Sequence, residues 1–410
     1  MRRLGGAVLV LAALPVGVVA GLVVLLAAAA LTGSRVAAVL LAVLATATGA
    51  AALALPAARL LTPGQPPPHR ARRWTTVGVT GAVTSVFLAL AAVLVLPSGS
   101  SNVLTEPPGV RHWQLPTGSR LAYVHTPAQA APRDAPVVIV HGGPGAPELG
   151  DPGLTARLAA AGYDVYAYHQ FGAGLSSRAT DIAEYTVARH VADLDAVRAA
   201  IGVERLTLVG ASWGAQLIAN YLAAHPERVA RAVLTSPGTI WSPAFPSSTQ
   251  LTPAGRRDQQ DVVDTHPRFM IAHVVLAVAG PRAARTLLPE RGMDAEYEAL
   301  VGGLDMRPGC AGPGGADDAG TEPAGFGFWA NAMTVRDAGQ APDPRPALRG
   351  LETPVLVLRG ECDYIAPAVA AEYGQLLPNT TLVDVPDAGH DIARDQPRVY
   401  HERITRFLSD

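Results

Sequence analysis

Three stretches near the N-terminus lack any formal charge: 31 residues between Arg3 and Arg35, 23 between Arg35 and Arg59, and a third from Trp74 to Thr105, apolar at about Val77–Leu96. About 20 apolar residues suffice for a helix to cross about 30 Å of hydrocarbon, so each stretch predicts a spanning helix. Pro15 and Pro56 are tolerable kinks in such helices. Ala7–Leu31 has no polar stripe, which a buried helix of a water-soluble domain would normally show. A cleaved signal peptide is the alternative, with Arg2 and Arg3 before it and small residues at Ala27–Ala30. Its apolar run should be only about 7–15 residues long, which is well short of this one.

The pattern changes after Pro97–Pro108, a polar linker containing Pro, Ser and Gly. Short β-type runs then alternate with helical ones, as in a mainly parallel α/β sheet. Val110–Leu115 and Arg120–Val124 predict an opening hairpin, and Val137–Val140 a strand covered on both faces. Further strands are expected at Asp164–Tyr168, Leu206–Val209, Val233–Thr235, Val355–Leu358 and Leu382–Val385. Helices are expected at Ala188–Ile201, Trp213–Ala224, Ala368–Leu377 and Gln396–Leu408. The rhythm breaks between Pro237 and about Arg349, where Gly255–Val263 and Arg268–Ala279 read as helical and Arg307–Phe326 is a Gly/Pro/Asp tract. The expected organisation is a three-helix transmembrane region (1–97), a linker (98–109), the first part of an α/β core (110–236), a cap insertion (237–349) and the rest of the core (350–410).

Composition agrees: apolar residues make up 49% of the chain and charged ones 16%, against about 25% charged in an average globular protein. A net charge of −2 gives no basic field to gather nucleic acid. Two cysteines, Cys310 and Cys362, exclude a four-cysteine zinc site and leave a single disulfide open. Arg2 and Arg3 precede the first apolar stretch, and Arg59, Arg70, Arg72 and Arg73 lie between the second and third. Only Arg35 separates the first two, so the positive-inside rule puts the N-terminus in the cytoplasm and everything after the third helix outside. The lipid bilayer is thus an expected partner through residues 4–96.

The sharpest chemical signal is Gly210-Ala211-Ser212-Trp213-Gly214, between an expected strand and an expected helix. That setting is what a nucleophile elbow needs, because small residues permit the strained turn that lifts a serine hydroxyl clear of the backbone. A serine needs a base and an orienting acid, in the chain order Ser, acid, His. Asp363 follows one late strand and His390 follows the last. Glu361 is an alternative acid, Asp387 and Asp391 neighbour the base, and His266 and His273 are alternative bases. After Val137–Val140 comes His141-Gly142-Gly143-Pro144-Gly145, a turn whose Gly143 amide would pair with that of Trp213 as an oxyanion hole. His141 reads as a structural side chain beneath that turn. A phosphate-binding loop is excluded, since there is neither GxGxxG nor GK[ST].

Taken together, HGGPG at His141–Gly145, Ser212-Trp213-Gly214 and His225-Pro226-Glu227-Arg228-Val229 resemble the proline iminopeptidase group of serine aminopeptidases, on an α/β-hydrolase fold over about Val110–Asp410. The resemblance implies Ser212 as nucleophile, Asp363 as acid, His390 as base, and the insertion beyond Pro237 as a helical cap. It also implies acidic cap residues for the substrate's free ammonium, for which Glu290, Asp294, Glu296 and Glu298 are available, as is Glu148 beside the HGGPG turn. The chain departs from the family in having His169-Gln170-Phe171-Gly172 where Asp-Gln-Arg-Gly is usual, and Ala215 where a second glycine is usual. The expected activity is serine hydrolysis of a short peptide with a free N-terminus, without metal or cofactor. The alternatives are an esterase or amidase acting on small molecules, or a membrane-tethered binding protein without turnover.

Overall fold

A computed structural model describes residues 1–61, 69–95, 104–246, 251–252, 266–301, 310 and 325–409. The helix expected at Gly255–Val263, most of the 307–326 tract and the first part of the linker lie outside the described residues. Along the chain come α1 (Arg2–Thr32), α2 (Arg35–Leu61) and α3 (His69–Val95). They are followed by β1 (Arg111–Gln114), β2 (Arg120–Thr126), β3 (Val137–Val140), α4 (Pro152–Ala160), β4 (Val165–Tyr168), α5 (Val187–Ile201), β5 (Leu206–Ala211), α6 (Trp213–Ala224) and β6 (Val229–Thr235). The insertion contributes α7 (Pro267–Leu287), α8 (Glu290–Val301) and α9 (Phe328–Ala338). Then come α10 (Arg345–Leu348), β7 (Val355–Gly360), α11 (Pro367–Leu376), β8 (Thr380–Val385), α12 (Ile392–Asp395) and α13 (Pro397–Ser409).

These elements form two compact units, one of Met1–Ser98 with Thr265–Pro289, the other of Gly99–Asp264 with Glu290–Asp410. In the first, Arg2–Thr32, Arg35–Leu61 and Arg73–Ala92 are long and apolar enough to cross a membrane. Gly6, Ala13, Gly17 and Gly21 of α1 are buried, and so are Ala38, Ala42, Thr46, Ala50 and Ala54 of α2. The four-residue spacing sets these small residues on one face of each helix, and small faces let backbones approach closely. A Cβ on Gly21 would overlap the Thr46 hydroxyl and press on the Phe87 ring of α3. α7 packs against α1 and also touches α3. Its helical dihedrals break at Gly280 (φ 81°, ψ 177°), just before Pro281.

The second unit is built on an eight-stranded sheet in the order β1-β2-β4-β3-β5-β6-β7-β8. The pairs β1–β2 and β2–β4 are antiparallel, and the remaining neighbours are parallel. Every expected strand is present. β6 begins at Val229, four residues earlier than its sequence pattern predicts; Arg231 is tolerated there because its guanidinium reaches the Phe407 carbonyl at 2.9 Å. α4 is an addition, started by Asp151, whose carboxylate accepts the Leu154 N–H, with Pro152 as first helical residue. α5 is capped by the Thr186 hydroxyl and ended by Gly202 at φ 85°. Val137, Val165, Val209, Val233 and Leu356 from the central strands pack with Leu154 and Leu158 of α4 and Ile404 of α13. Parallel strands share one carboxyl edge, and ligands of open α/β sheets bind beyond that edge.

Candidate active site

Ser212 follows β5 directly and precedes α6, with φ 53° and ψ −116°. A non-glycine residue held there costs on the order of 1–3 kcal/mol, and such strain persists only where surroundings enforce it. The enforcement is visible. The Ser212 amide donates to Thr235 O at 2.9 Å, and its carbonyl accepts from Ala215, Gln216 and Gly238. Gly214 lies against β3 so closely that a Cβ would overlap the Val140 carbonyl oxygen. Ala215, which stands where the family usually has a second glycine, is fully buried without disturbing the turn.

The hydrogen bonds continue along the carboxyl edge. Ser236 N donates to Leu358 O at 2.8 Å, Glu361 N to Val385 O at 3.0 Å and Cys362 N to Ala388 O at 2.9 Å. The loops after β5, β6, β7 and β8 are thereby stitched side by side. Asp363, on the loop after β7, is 3% exposed, and its Oδ1 lies 2.8 Å from His390 Nδ1 while accepting the Ile365 N–H at 2.9 Å. Burial alone would raise this carboxyl, but the His390 charge, the bond to it and the Ile365 amide outweigh burial and hold Asp363 below the usual range. The Tyr364 ring packs on the His390 imidazole, with centroids 4.2 Å apart. Of the rivals, Glu361 accepts the Asp387 N–H, and Asp391 caps α12 through the Arg394 N–H. His273 is engaged through Nδ1 with Phe269 O at 2.7 Å, and His266 starts α7.

The turn after β3 carries the other half. The His141 ring is buried: its Nε2 accepts the Gln170 N–H at 2.9 Å, and its Nδ1 donates to Gly142 O at 2.8 Å. Burial drives its pKa down to about 4, against the weaker opposing pull of that carbonyl. His169 and His190, also buried, fall to about 3, chiefly through desolvation. All three are neutral near pH 7, which fits His141 as a structural side chain. Gly143 has φ 116°, and Gly142 packs beside Ser212.

Gln170 is a residue that sequence reasoning missed. Its side-chain amide donates to His141 O at 2.7 Å, and its Oε1 accepts the Trp213 indole N–H at 2.9 Å. It therefore links the HGGPG turn to the first residue after Ser212. Its position after β4, on the same carboxyl edge, was the available signal.

Glu290, Asp294 and Glu298 recur every four residues along α8, and each is engaged. Glu298 accepts the Gly325 N–H at 3.0 Å. Glu290 accepts the Tyr185 hydroxyl at 2.6 Å. Asp294 accepts the Phe328 N–H at 2.8 Å and pairs with Arg178 at 3.2 Å. Burial pushes Asp294 up to about 7, with Arg178 and the Phe328 amide opposing it. Glu148 is exposed near the HGGPG turn, and Glu296 is half-buried on α8. Cys310 and Cys362 form a disulfide, tying a residue of the insertion to the neighbour of Asp363.

A family model for the alpha/beta hydrolase fold matches residues 135–273. A Levilactobacillus brevis protein named proline iminopeptidase is 28% identical over 290 residues, covering 67% of this chain and 88% of the relative. A Streptomyces coelicolor protein named a probable proline iminopeptidase is 37% identical over 113 residues, 26% of this chain, so the match spans only 34% of that relative's length. Among solved structures, a Rhodococcus esterase superposes with TM-score 0.50 at 23% identity, over 74% of this chain and 99% of the esterase. Sheet order, strand directions and these likenesses agree: the chain carries an α/β-hydrolase fold and resembles the proline iminopeptidases.

Proposed function

We propose that the protein is a membrane-anchored serine hydrolase that cleaves acyl bonds through an acyl-enzyme. The carrying observation is the His390–Asp363 pair at 2.8 Å, on the same sheet edge as the strained Ser212. Ser212 attacks the carbonyl while His390 Nε2 takes its proton. Asp363, buried behind Nδ1, fixes the tautomer and stabilises the imidazolium that forms. The amides of Trp213 and Gly143 receive the oxyanion, each contributing on the order of 3–4 kcal/mol in the transition state. His390 then protonates the leaving group, and water attacks the acyl-enzyme by the reverse path.

The leading substrate class is a short peptide with a free N-terminus, supported by the HGGPG turn and the similarity to proline iminopeptidases. A second reading, an ester or amide of a small molecule, draws support from the insertion's own carboxylates. Asp294 engages both oxygens, with Arg178 and the Phe328 amide, and Glu290 and Glu298 each engage one, with the Tyr185 hydroxyl and the Gly325 amide. The peptidase reading then needs an ammonium ligand among Glu148, Glu296 and the other oxygens of Glu290 and Glu298.

The hydrolase unit is proposed to lie outside the cytoplasm. The arginine distribution supports that side, and so does the Cys310–Cys362 disulfide, since disulfides persist in oxidising compartments. One experiment tests both chemistry and substrate. A fluorophosphonate probe labels the wild type and not Ser212→Ala; equal labelling of both removes Ser212 as nucleophile. On the same preparations, turnover of a proline naphthylamide over a nitrophenyl ester supports the peptidase, and ester turnover alone supports the second reading.

A further inference from the structure

We propose that the outward face of α7 lies in lipid, so that the insertion between β6 and β7 carries a membrane-contacting segment of its own. The inference rests on reading α1–α3 as spanning helices and adds a fourth contact that the N-terminal stretches do not contain. Met270, Val274 and Val278 recur every four residues, which places them on one helix face. They are 53%, 61% and 71% exposed. On the other side Phe269, Ala272, Val275 and Leu276 are buried. That buried side belongs to the compact unit of α1–α3, where α7 packs against α1 and touches α3.

A helix packed on the flank of a spanning helix shares its surroundings, so the face it turns away from that helix meets the same solvent. On α1 and α2 that solvent faces Leu11, Val19, Val23, Leu40 and Leu44, all exposed. The stripe on α7 continues this apolar surface. Charges are placed accordingly. Arg268, the one arginine of the segment before Gly280, is buried rather than turned to the apolar face, as ionisable groups in membrane helices are. His273 flanks the stripe with its ring nitrogen bonded to the Phe269 carbonyl. Beyond Gly280, the Arg282 guanidinium reaches the α1–α2 turn, 3.2 Å from where a Cβ of Gly33 would stand. Basic side chains at that level suit the headgroup region. The occupant we assign to the stripe is therefore the leaflet at the α1–α2 turn.

The test uses the full chain, with its disulfide intact, reconstituted in phosphatidylcholine vesicles. A nitroxide is attached at Val274→Cys and, separately, at Val278→Cys. Leu44→Cys on α2 reports lipid, and Leu382→Cys on β8, an exposed apolar site of the hydrolase unit, reports water. Power saturation then compares accessibility to dissolved oxygen with accessibility to a neutral nickel chelate. The expected result is an oxygen-to-nickel ratio at 274 and 278 that matches position 44 and exceeds position 382 several-fold. A ratio matching position 382, with position 44 still lipid-like, overturns the assignment and leaves the anchor standing. Exclusion of both reagents at 274 and 278 overturns it in favour of protein contact, such as a second copy of the chain. Water-like behaviour at 44 as well removes the spanning helices and this inference with them.

Discussion

In α1 and α2 the inward positions hold Gly17, Gly21, Ala42, Ala50 and Thr46, while Leu11, Val23, Leu40 and Leu44 point out. The sheet unit does the reverse. Leu121, Leu208, Tyr221 and Leu356 are inside, and among its described residues Val335 and Leu382 are the only large apolar side chains left exposed. Water drives large apolar groups inward. Lipid provides no such drive, and helix association there rests on close packing of small residues. The inversion is what the proposed membrane setting of α1–α3 would require. The two units also treat buried polar groups differently. Thr46, the buried polar side chain of α1 and α2, satisfies itself on Ala42 O of its own helix. The hydrolase unit instead buries a network that joins separate loops, running from His141 through Gln170 to Trp213.

Opposite substitutions break this comparison most sharply. Leu208 on β5 has no exposed surface, so Leu208→Ala should cost the hydrolase unit about 2–5 kcal/mol in denaturant unfolding. The same change at Leu44, which faces out, should leave that unfolding unchanged and leave α2 paired with α1. Gly21→Leu should instead separate α1 from α2, because its side chain would have to occupy the space of Thr46 and Phe87. Site-directed disulfide trapping between α1 and α2 in vesicles would report the loss. If Leu44→Ala loosened the helices more than Gly21→Leu, the helical unit would be a water-type core after all.

The same contrast explains what was legible in the sequence. The sheet could be read because strands alternate with helices and turn residues mark their ends. The elbow, Asp363 and His390 could be read because each sits just past a strand. α4 was missed although Asp151-Pro152 is a helix-start signature, because it is only nine residues long and its buried face rests on Leu154, Leu158 and Ala159. The packing face of α1 was invisible, since in an all-apolar helix only residue size distinguishes inside from outside. Gln170 gave no periodic signal, and its role exists only through contacts with residues 29 and 43 positions away. The disulfide depended on geometry that spacing does not contain, and so did the place of α7 beside α1–α3.

Acid should separate the units by a smaller amount. His141, His169 and His190 resist protonation in the folded hydrolase unit down to about 4, 3 and 3. In the unfolded chain they take protons near pH 6.5, so below that pH the unfolded state binds more protons and folding weakens as pH falls. Asp294 works against this. Its folded pKa of about 7 means that the folded state keeps a proton which the unfolded chain loses near 3.8. Asp193 and Glu372, also raised by burial, flatten the lower end of the profile in the same sense. Three protons against one leave a net of two, a slope of at most about 2.7 kcal/mol per pH unit, approached about one unit below pH 6.5 where the unfolded imidazoles are nearly fully protonated. Urea midpoints for the hydrolase unit should therefore drop from pH 6.5 to 5.5, while the α1–α3 helical signal stays put. A flat profile would mean that these imidazoles are solvated.

The smallest expected effect tests whether the buried network serves the chemistry or only the fold. Gln170→Leu keeps the side-chain volume but removes the donor to His141 O and the acceptor for the Trp213 indole. The direct link between the Trp213 indole and the HGGPG turn is then lost, while the Gln170 N–H to His141 and the bonds of Asn331 and Gly327 to the Pro144 and Gly145 carbonyls remain. Loss of a whole oxyanion donor costs about 10²–10³ in kcat. Misplacing both amides by a fraction of an ångström should cost less, about 10–10² in kcat with KM nearly constant, because the loss falls on the transition state. Trp213→Phe removes the indole N–H and should produce a similar fall. The double variant should be little worse than either single one, since both cut the same link. Gln170→Glu retains the acceptor for Trp213 and should recover part of the rate. If instead Gln170→Leu lowered the unfolding midpoint while kcat stayed at the wild-type value, Gln170 would be a brace for the fold, and the contrast between the units would end at packing.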